Sequence, residues 1–172
     1  MKKINLAVLM GGVSSEHEIS LISGQNVFES LDRKKYRVKS IVISKKGEWL
    51  VSGRKRTIDK ALKGINVVFN ALHGEYGEDG RIQGLLDCFG VKYTGSGVLS
   101  SALGMDKIKS RELFRFHGLF VPEYIVIEKK SDYSTFDFKK LGEKPVVKPA
   151  FLGSSVGVSI VNNRKDLNNA ID

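Results

Sequence analysis

Apolar residues first gather at Ile4 to Met10, a run of strand length that ends on Gly11-Gly12. From about Glu16 to Leu31 the period changes, with Ile19, Ile22, Val27, Phe28 and Leu31 near helical spacing. Ser14 or Ser15 is placed to cap that helix, and Glu16 and Glu18 suit its positive end. Tyr36 to Ser44 reads as a second strand, and Lys45-Lys46-Gly47 turns the chain into a short return strand, Trp49 to Val51. A short helix is expected over Thr57 to Lys63, a buried strand over Asn66 to Leu72, and a helix over Arg81 to Phe89 that Gly90 stops. The order β-α-β-(β)-α-β predicts a parallel sheet with crossover helices. Ligands of such sheets bind beyond the carboxyl ends of the strands. The loops 11–18 and 73–80 should therefore share one edge of the sheet.

The composition shifts near residues 91–97, and a domain boundary is expected near residue 96, giving domains 1–96 and 97–172. Val98 to Met105 and Asp106 to His117 read as helices, Tyr124 to Ile127 as a strand, and Ser131 to Leu141 as a linker with a weak helix. Residues 163–172 look like the opening turns of a helix, so the second domain reads as incomplete.

Overall composition, 41% hydrophobic and 27% charged, is that of an ordinary soluble globular chain. No run approaches the roughly 18 apolar residues of a membrane span, and the basic, apolar start reads as a first strand rather than a signal peptide. A single cysteine, Cys88, excludes an internal disulfide framework and fits a reducing cytoplasm; Leu85, Leu86 and Phe89 around it suggest a thiol in a helix core. The net charge of +9 raises the question of nucleic acid. Between Asp32 and Lys63 there are 12 Lys/Arg against three acidic residues, which accounts for the whole surplus. With no aromatic interleaving beyond Tyr36 and Trp49, this segment reads as a solvated basic face, not a polyanion site.

The chemistry concentrates in Lys144 to Ser159. Pro145 to Lys148 reads as a buried strand and Val156 as the start of another, joined by a loop of small residues, Gly153, Ser154, Ser155 and Gly157. Such a backbone can approach an anion closely and donate N–H groups and hydroxyls to phosphate oxygens. Lys148 stands at its mouth, and in a buried strand it would require an anionic partner. A plain hairpin with a Gly/Ser turn is the competing reading.

Five stretches in order then carry a resemblance. They are Gly11-Gly-Val-Ser-Ser-Glu-His-Glu-Ile-Ser20, His73-Gly-Glu-Tyr-Gly-Glu-Asp-Gly-Arg-Ile-Gln-Gly84, Tyr93-Thr-Gly-Ser96, Met105-Asp-Lys107, and Val147-Lys-Pro149 with Gly153-Ser-Ser-Val-Gly157. Together they resemble the D-alanine–D-alanine ligases of the ATP-grasp superfamily. The resemblance implies an α/β fold: an amino-terminal parallel-sheet domain (pre-ATP-grasp, Rossmann-like) that binds D-alanine, followed by an incomplete ATP-grasp α+β domain. It also implies ATP-dependent joining of two D-alanines through an acyl phosphate, for peptidoglycan precursors in the cytoplasm. A homodimer of the full-length enzyme is implied too, with no nucleic-acid or membrane partner.

Site roles follow from the resemblance residue by residue. Glu16 matches the carboxylate that holds the ammonium of the first D-alanine, and His73 lines that substrate's site. Lys107 and Lys148 match the lysines on the nucleotide phosphates. Ser154 matches the serine that helps orient Glu16 and the first substrate, while the backbone of Gly153, Ser154 and Ser155 covers ATP as a lid hinged on its glycines. Glu78, Asp79 and Gln83 read as scaffold, and His17 and His117 carry no role. The carboxylates for Mg²⁺ (or Mn²⁺) are expected beyond Asp172, and Asp166 and Asp172 are poor metal ligands. These 172 residues alone are expected not to ligate. Two alternatives stay open: a D-alanine–D-lactate ligase, and a non-catalytic binding module that kept the substrate domain.

Overall fold

The computed structural model describes residues 2–129 and 137–171 and divides the chain into two compact units, Met1–Leu103 and Gly104–Asp172. In the first, β1 (Ile4–Gly11), β2 (Tyr36–Ile43), β3 (Trp49–Val51), β4 (Arg54–Arg56), β5 (Val67–Asn70) and β6 (Lys92–Tyr93) form one sheet in the order β4-β3-β2-β1-β5-β6. β1 runs parallel to β2 and β5, and β5 parallel to β6, while β3 and β4 return antiparallel. Helices α1 (His17–Ser30), α2 (Ile58–Leu62) and α3 (Arg81–Cys88) make the connections.

A strand between two parallel neighbours with helices on both faces must be apolar throughout. Leu6, Ala7, Val8, Leu9 and Met10 of β1 are all buried. Ala7 and Leu9 face one cluster with Ile41, Trp49, Ala61, Val68 and Leu86, while Leu6, Val8 and Met10 face the other with Leu21, Val27 and Phe28 of α1. Two strands carry no apolar pattern and went unpredicted. β4 is Arg-Lys-Arg, wholly exposed, and its charges blunt the sheet edge while absorbing much of the basic surplus. β6 is only two residues long.

α1 differs from its apolar pattern. Ile19 and Ile22 are 55% and 60% exposed, whereas His17, Ser20 and Gly24 are buried. At Gly24 the helix lies so close to β1 that no side chain fits: a Cβ there would stand 2.4 Å from the Met10 Cβ. Nor do the serines cap the helix. Glu16 holds the N-cap position without a side-chain cap bond, and the Ser14 hydroxyl accepts from Glu16 N at 3.2 Å in the turn before it. Cys88 is exposed rather than in a core, because α3 buries Ile82 and Leu86 and Cys88 lies two residues, about 200°, further round.

In the second unit α4 (Val98–Met105), in which the division of the chain falls, leads to α5 (Lys107–Phe116). Asp106 caps α5, accepting from Ile108 N at 2.9 Å and Lys109 N at 3.0 Å. Tyr124 to Ile127 is not a strand: it pairs with no ladder among the described residues. Of the expected linker and helix over Ser131 to Leu141, residues 131–136 lie outside the described residues, as does Asp172, and Phe138–Leu141 is a 3₁₀ turn. β7 (Val146–Val147) and β8 (Ser159–Ile160) pair antiparallel, the second starting three residues after Val156, and α6 (Arg164–Ile171) follows. Val161 and Leu167 form the buried centre of this unit.

Replacing Gly24 with alanine should push α1 off β1 and destabilise the first unit by about 1–3 kcal/mol, in the range of overpacked cores. Urea unfolding followed at Trp49 measures it, and an unchanged midpoint would contradict the close-contact account.

Candidate functional site

Where β1 and β5 end, the chain leaves the sheet through two loops that meet. Gly11 and Gly12 both take left-handed backbone conformations, φ +88° and +97°, and a Cβ on Gly11 would lie 2.3 Å from Ile43 O. No other residue type fits that exit. The Ser14 hydroxyl crosses to donate to His73 O at 2.7 Å. The Glu16 carboxylate lies against Gly74 so closely that a Cβ there would be 2.5 Å from Oε2. Glu16 and His73, 57 positions apart in the numbering, are thus assembled at one edge, as the topology requires.

The second loop is braced from within. Gly74 N donates to Glu78 Oε2 at 2.7 Å, Tyr76 N to Asp79 Oδ2 at 2.9 Å, and both Asn70 and the buried Gln83 donate side-chain amides to Gly77 O. Glu78, Asp79 and Gln83 are scaffold, as expected. Three α1 residues without an expected role hold the loops from below. His17 Nδ1 donates to Gly12 O; Ser20 Oγ accepts from Gly11 N at 2.8 Å and donates to Ala71 O at 2.7 Å; and Ser23 Oγ meets His73 Nε2 at 3.0 Å. Their spacing of three residues puts them on one helix face, but nothing in the sequence says that this face meets the loops.

The second unit gathers cations. Lys107, at the first position of α5, donates its backbone N–H to Ala150 O at 3.0 Å and its ammonium to Leu152 O. Lys107, Arg111, Lys144 and Lys148 line one cleft of about 610 Å³. Partial burial, then the positive charges of Lys148 and Arg111, hold the Lys107 pKa below the usual lysine value. The strand expected over Pro145 to Lys148 forms as the two-residue β7, but it is not buried: Val146 is 45% exposed and Lys148 is exposed, because among the described residues β7 pairs only with β8. The desolvated cation is Lys107 instead. Arg111, one helical turn further along α5, was missed for lack of any motif.

Gly153, Ser154 and Ser155 form the loop between β7 and β8, with both serines exposed. Its left-handed residues are Ser154, φ +57°, and Gly157, φ +70°, so the strain falls partly on a serine rather than on Gly153. A non-glycine residue there is uncommon outside sites that use it. The loop residues and the four cations are a donor set suited to phosphate oxygens. Among the described residues no group of three His, Cys, Asp or Glu side chains converges on a possible metal position, and no helix is long and apolar enough to cross a membrane.

Comparison with known proteins places these features in a lineage. A family model for the D-ala D-ala ligase N-terminus matches residues 5–61 and 52–96, and one for the D-ala D-ala ligase C-terminus matches residues 113–172. A D-alanine--D-alanine ligase of Natranaerobius thermophilus is 39% identical, the match covering 100% of this chain and 57% of the relative. The solved D-alanine-D-alanine ligase of Coxiella burnetii superposes with a TM-score of 0.87 at 30% identity, over 98% of this chain and 59% of that one. The Bacillus anthracis enzyme complexed with ATP gives 0.79 at 35% identity, over 98% and 53%. The chain therefore spans a little over half the length of the relatives it matches.

Because the Lys107 pKa is depressed in the folded state, the unfolded chain binds more protons between the folded and unfolded values, and this unit gains stability as pH rises through that interval. Lys148→Met removes one of the two repelling charges and should move the Lys107 pKa up toward the ordinary lysine value. A ¹³Cε NMR titration reads it; a Lys107 pKa that stays put would show that the Lys148 charge has no part in depressing it.

Proposed function

The chain belongs to the D-alanine–D-alanine ligase family, and from that premise we propose that it forms the amino-terminal half of an ATP-dependent ligase that joins two D-alanines for peptidoglycan precursors. The observation that carries this reading is the junction of the β1 and β5 loops, which brings the Glu16 carboxylate and His73 together at the carboxyl edge of the sheet. A boundary at residues 96–97 belongs to the same reading, with a D-alanine-binding domain before it and the first part of an ATP-grasp domain after it. So do cytoplasmic residence and a homodimer of the full-length enzyme.

The roles of the residues follow from their chemistry. Glu16 accepts hydrogen bonds from the ammonium of the first D-alanine, leaving its carboxylate free to react, and His73 lines the same site. That carboxylate attacks the γ-phosphorus of ATP; an O–P bond forms, the bond to the β-phosphate oxygen breaks, and ADP leaves. The amine of the second D-alanine then attacks the acyl carbon, loses a proton and expels inorganic phosphate. Both steps gather negative charge on oxygen, which fixed cations and oriented donors stabilise best in a site closed to water. Lys107 and Lys148 supply the cations. The backbone of Gly153, Ser154 and Ser155 closes over the phosphates, with Ser154 in the orienting role that the family pattern gives it. A divalent ion, Mg²⁺ or Mn²⁺, would neutralise phosphate charge when bound; the described residues offer no group of three His, Cys, Asp or Glu side chains to hold it.

Titrating the chain with D-alanine, and separately with ATP, tests the reading of each unit. D-Alanine should bind in preference to L-alanine, and Glu16→Gln should weaken it about 10- to 100-fold, the value of a charge-assisted hydrogen bond. Binding of one ligand but not the other would favour the non-catalytic module. In a coupled assay the chain alone should form no ADP that depends on D-alanine. Clear D-alanine-dependent turnover would sink the statement that these residues are only part of the machinery. A D-lactate acceptor is the remaining alternative, to be read from product analysis of the full-length enzyme.

A further inference from the structure

The ladder between β1 and β5 stops one bond early. Parallel strands exchange evenly spaced bonds, each residue on the shared side using both its N–H and its C=O. Ala71 N donates to Leu9 O at 2.9 Å, and the last registered pair is Leu9 with Asn70. Continuing the pattern, Gly11 N would donate to Ala71 O and pair Met10 with Ala71. It does not. Gly11 N donates instead to Ser20 Oγ at 2.8 Å, and the same hydroxyl donates to Ala71 O at 2.7 Å. Ser20 is fully buried and both its partners are backbone groups, so the hydroxyl takes the place of the missing ladder bond.

We propose that the Ser20 hydroxyl is a wedge: it holds the ends of β1 and β5 one hydroxyl apart and so sets the spacing of the loops that carry Glu16 and His73. Ser20 is thus a positioning residue, not a catalytic one, for the D-alanine site, and its functional half rests on the ligase reading above. Three features support it. The insertion lies at the last residues before the loops diverge, at Gly11 and Ala71, so a change of spacing there is passed on to both. It leaves no orphan, since donor and acceptor are both satisfied. And it is possible only because Gly24, one turn further on, lets α1 approach β1 closely enough for a short side chain to reach into the sheet. Removing the hydroxyl leaves a buried N–H and a buried C=O facing each other, and each is costly to leave unpaired. The cheapest repair is for the strands to zip by one more bond, drawing the loops together. Binding geometry tolerates errors of only about 0.5 Å.

The test uses isotope-labelled chain. Scalar coupling across a hydrogen bond from Gly11 N to the Ala71 carbonyl carbon should be absent in the unaltered protein and appear in Ser20→Ala, with D-alanine affinity falling about tenfold or more. Ser20→Thr keeps the hydroxyl, so it should show no coupling and retain affinity; it also carries the test if Ser20→Ala fails to fold. Ser30→Ala, which loses only a hydroxyl bonded to Asn26 O at the far end of α1, should change neither readout. Coupling in the unaltered chain or in Ser20→Thr would overturn the wedge. Unchanged D-alanine affinity in a folded Ser20→Ala would overturn its positioning role. Failure of the unaltered chain to bind D-alanine would count against the ligase reading and the link from wedge to substrate, while the coupling would still decide the wedge by itself.

Discussion

The closeness of α1 to β1 is the constraint on which the first unit turns. Helix and sheet are held apart elsewhere by full-sized side chains, but at Gly24 there is no room even for a methyl group beside Met10. That approach lets His17, Ser20 and Ser23, all short or flat, reach Gly12 O, Gly11 N with Ala71 O, and the His73 ring. One helix thereby holds both strand-end loops. A larger inner face would pack as well but would leave the loop backbones without partners, and buried polar groups do not stay unpaired cheaply. Close packing here serves the polar network rather than the area of apolar burial.

The second unit is organised by charge. Its buried centre is small, Val161 and Leu167, and Phe116 and Phe120 remain 84% and 93% exposed. What it fixes well is the start of α5. The Asp106 cap sets the first turn, and Lys107 is held to the 150–152 segment through both its backbone and its side chain. Burial first, and then the charges of Lys148 and Arg111, depress the lysine's pKa. The Lys107 ammonium is repelled by both, and an anion placed beside it relieves that repulsion. This is the pattern of stored electrostatic energy expected at a phosphate site.

Much of this architecture was legible in the sequence because its signals are local and redundant. The buried run of β1, the Gly11-Gly12 exit, the Asp106 start of α5 and the Gly90 stop of α3 each name a boundary by their own chemistry. Failures arose where a neighbour, not the local sequence, decides. Tyr124 to Ile127 has strand composition, yet a strand exists only with a partner. β4 lacks apolar residues because an edge needs charge. Cys88 sits among apolar residues in sequence but on the wrong side of α3 in space. In α1 the large residues Ile19 and Ile22 drew attention, while the helix's working face is made of small ones that an apolar count ignores.

The same reasoning explains why the candidate site was legible in its charged residues and not in its positioning ones. Glu16, His73, Lys107 and Lys148 were named through the five matching stretches, since a carboxylate at a helix start or a lysine beside a loop also has structural reasons to be there. Ser20 has many. A serine in a helix ordinarily bonds its own backbone, as Ser30 does to Asn26 O. Only the sheet register shows that Ser20 does otherwise. Its hydroxyl replaces a specific ladder bond between two strand ends, Gly11 nine positions before it and Ala71 51 positions after it. Roles of that kind are properties of a gap between elements, and they become visible once the elements are placed.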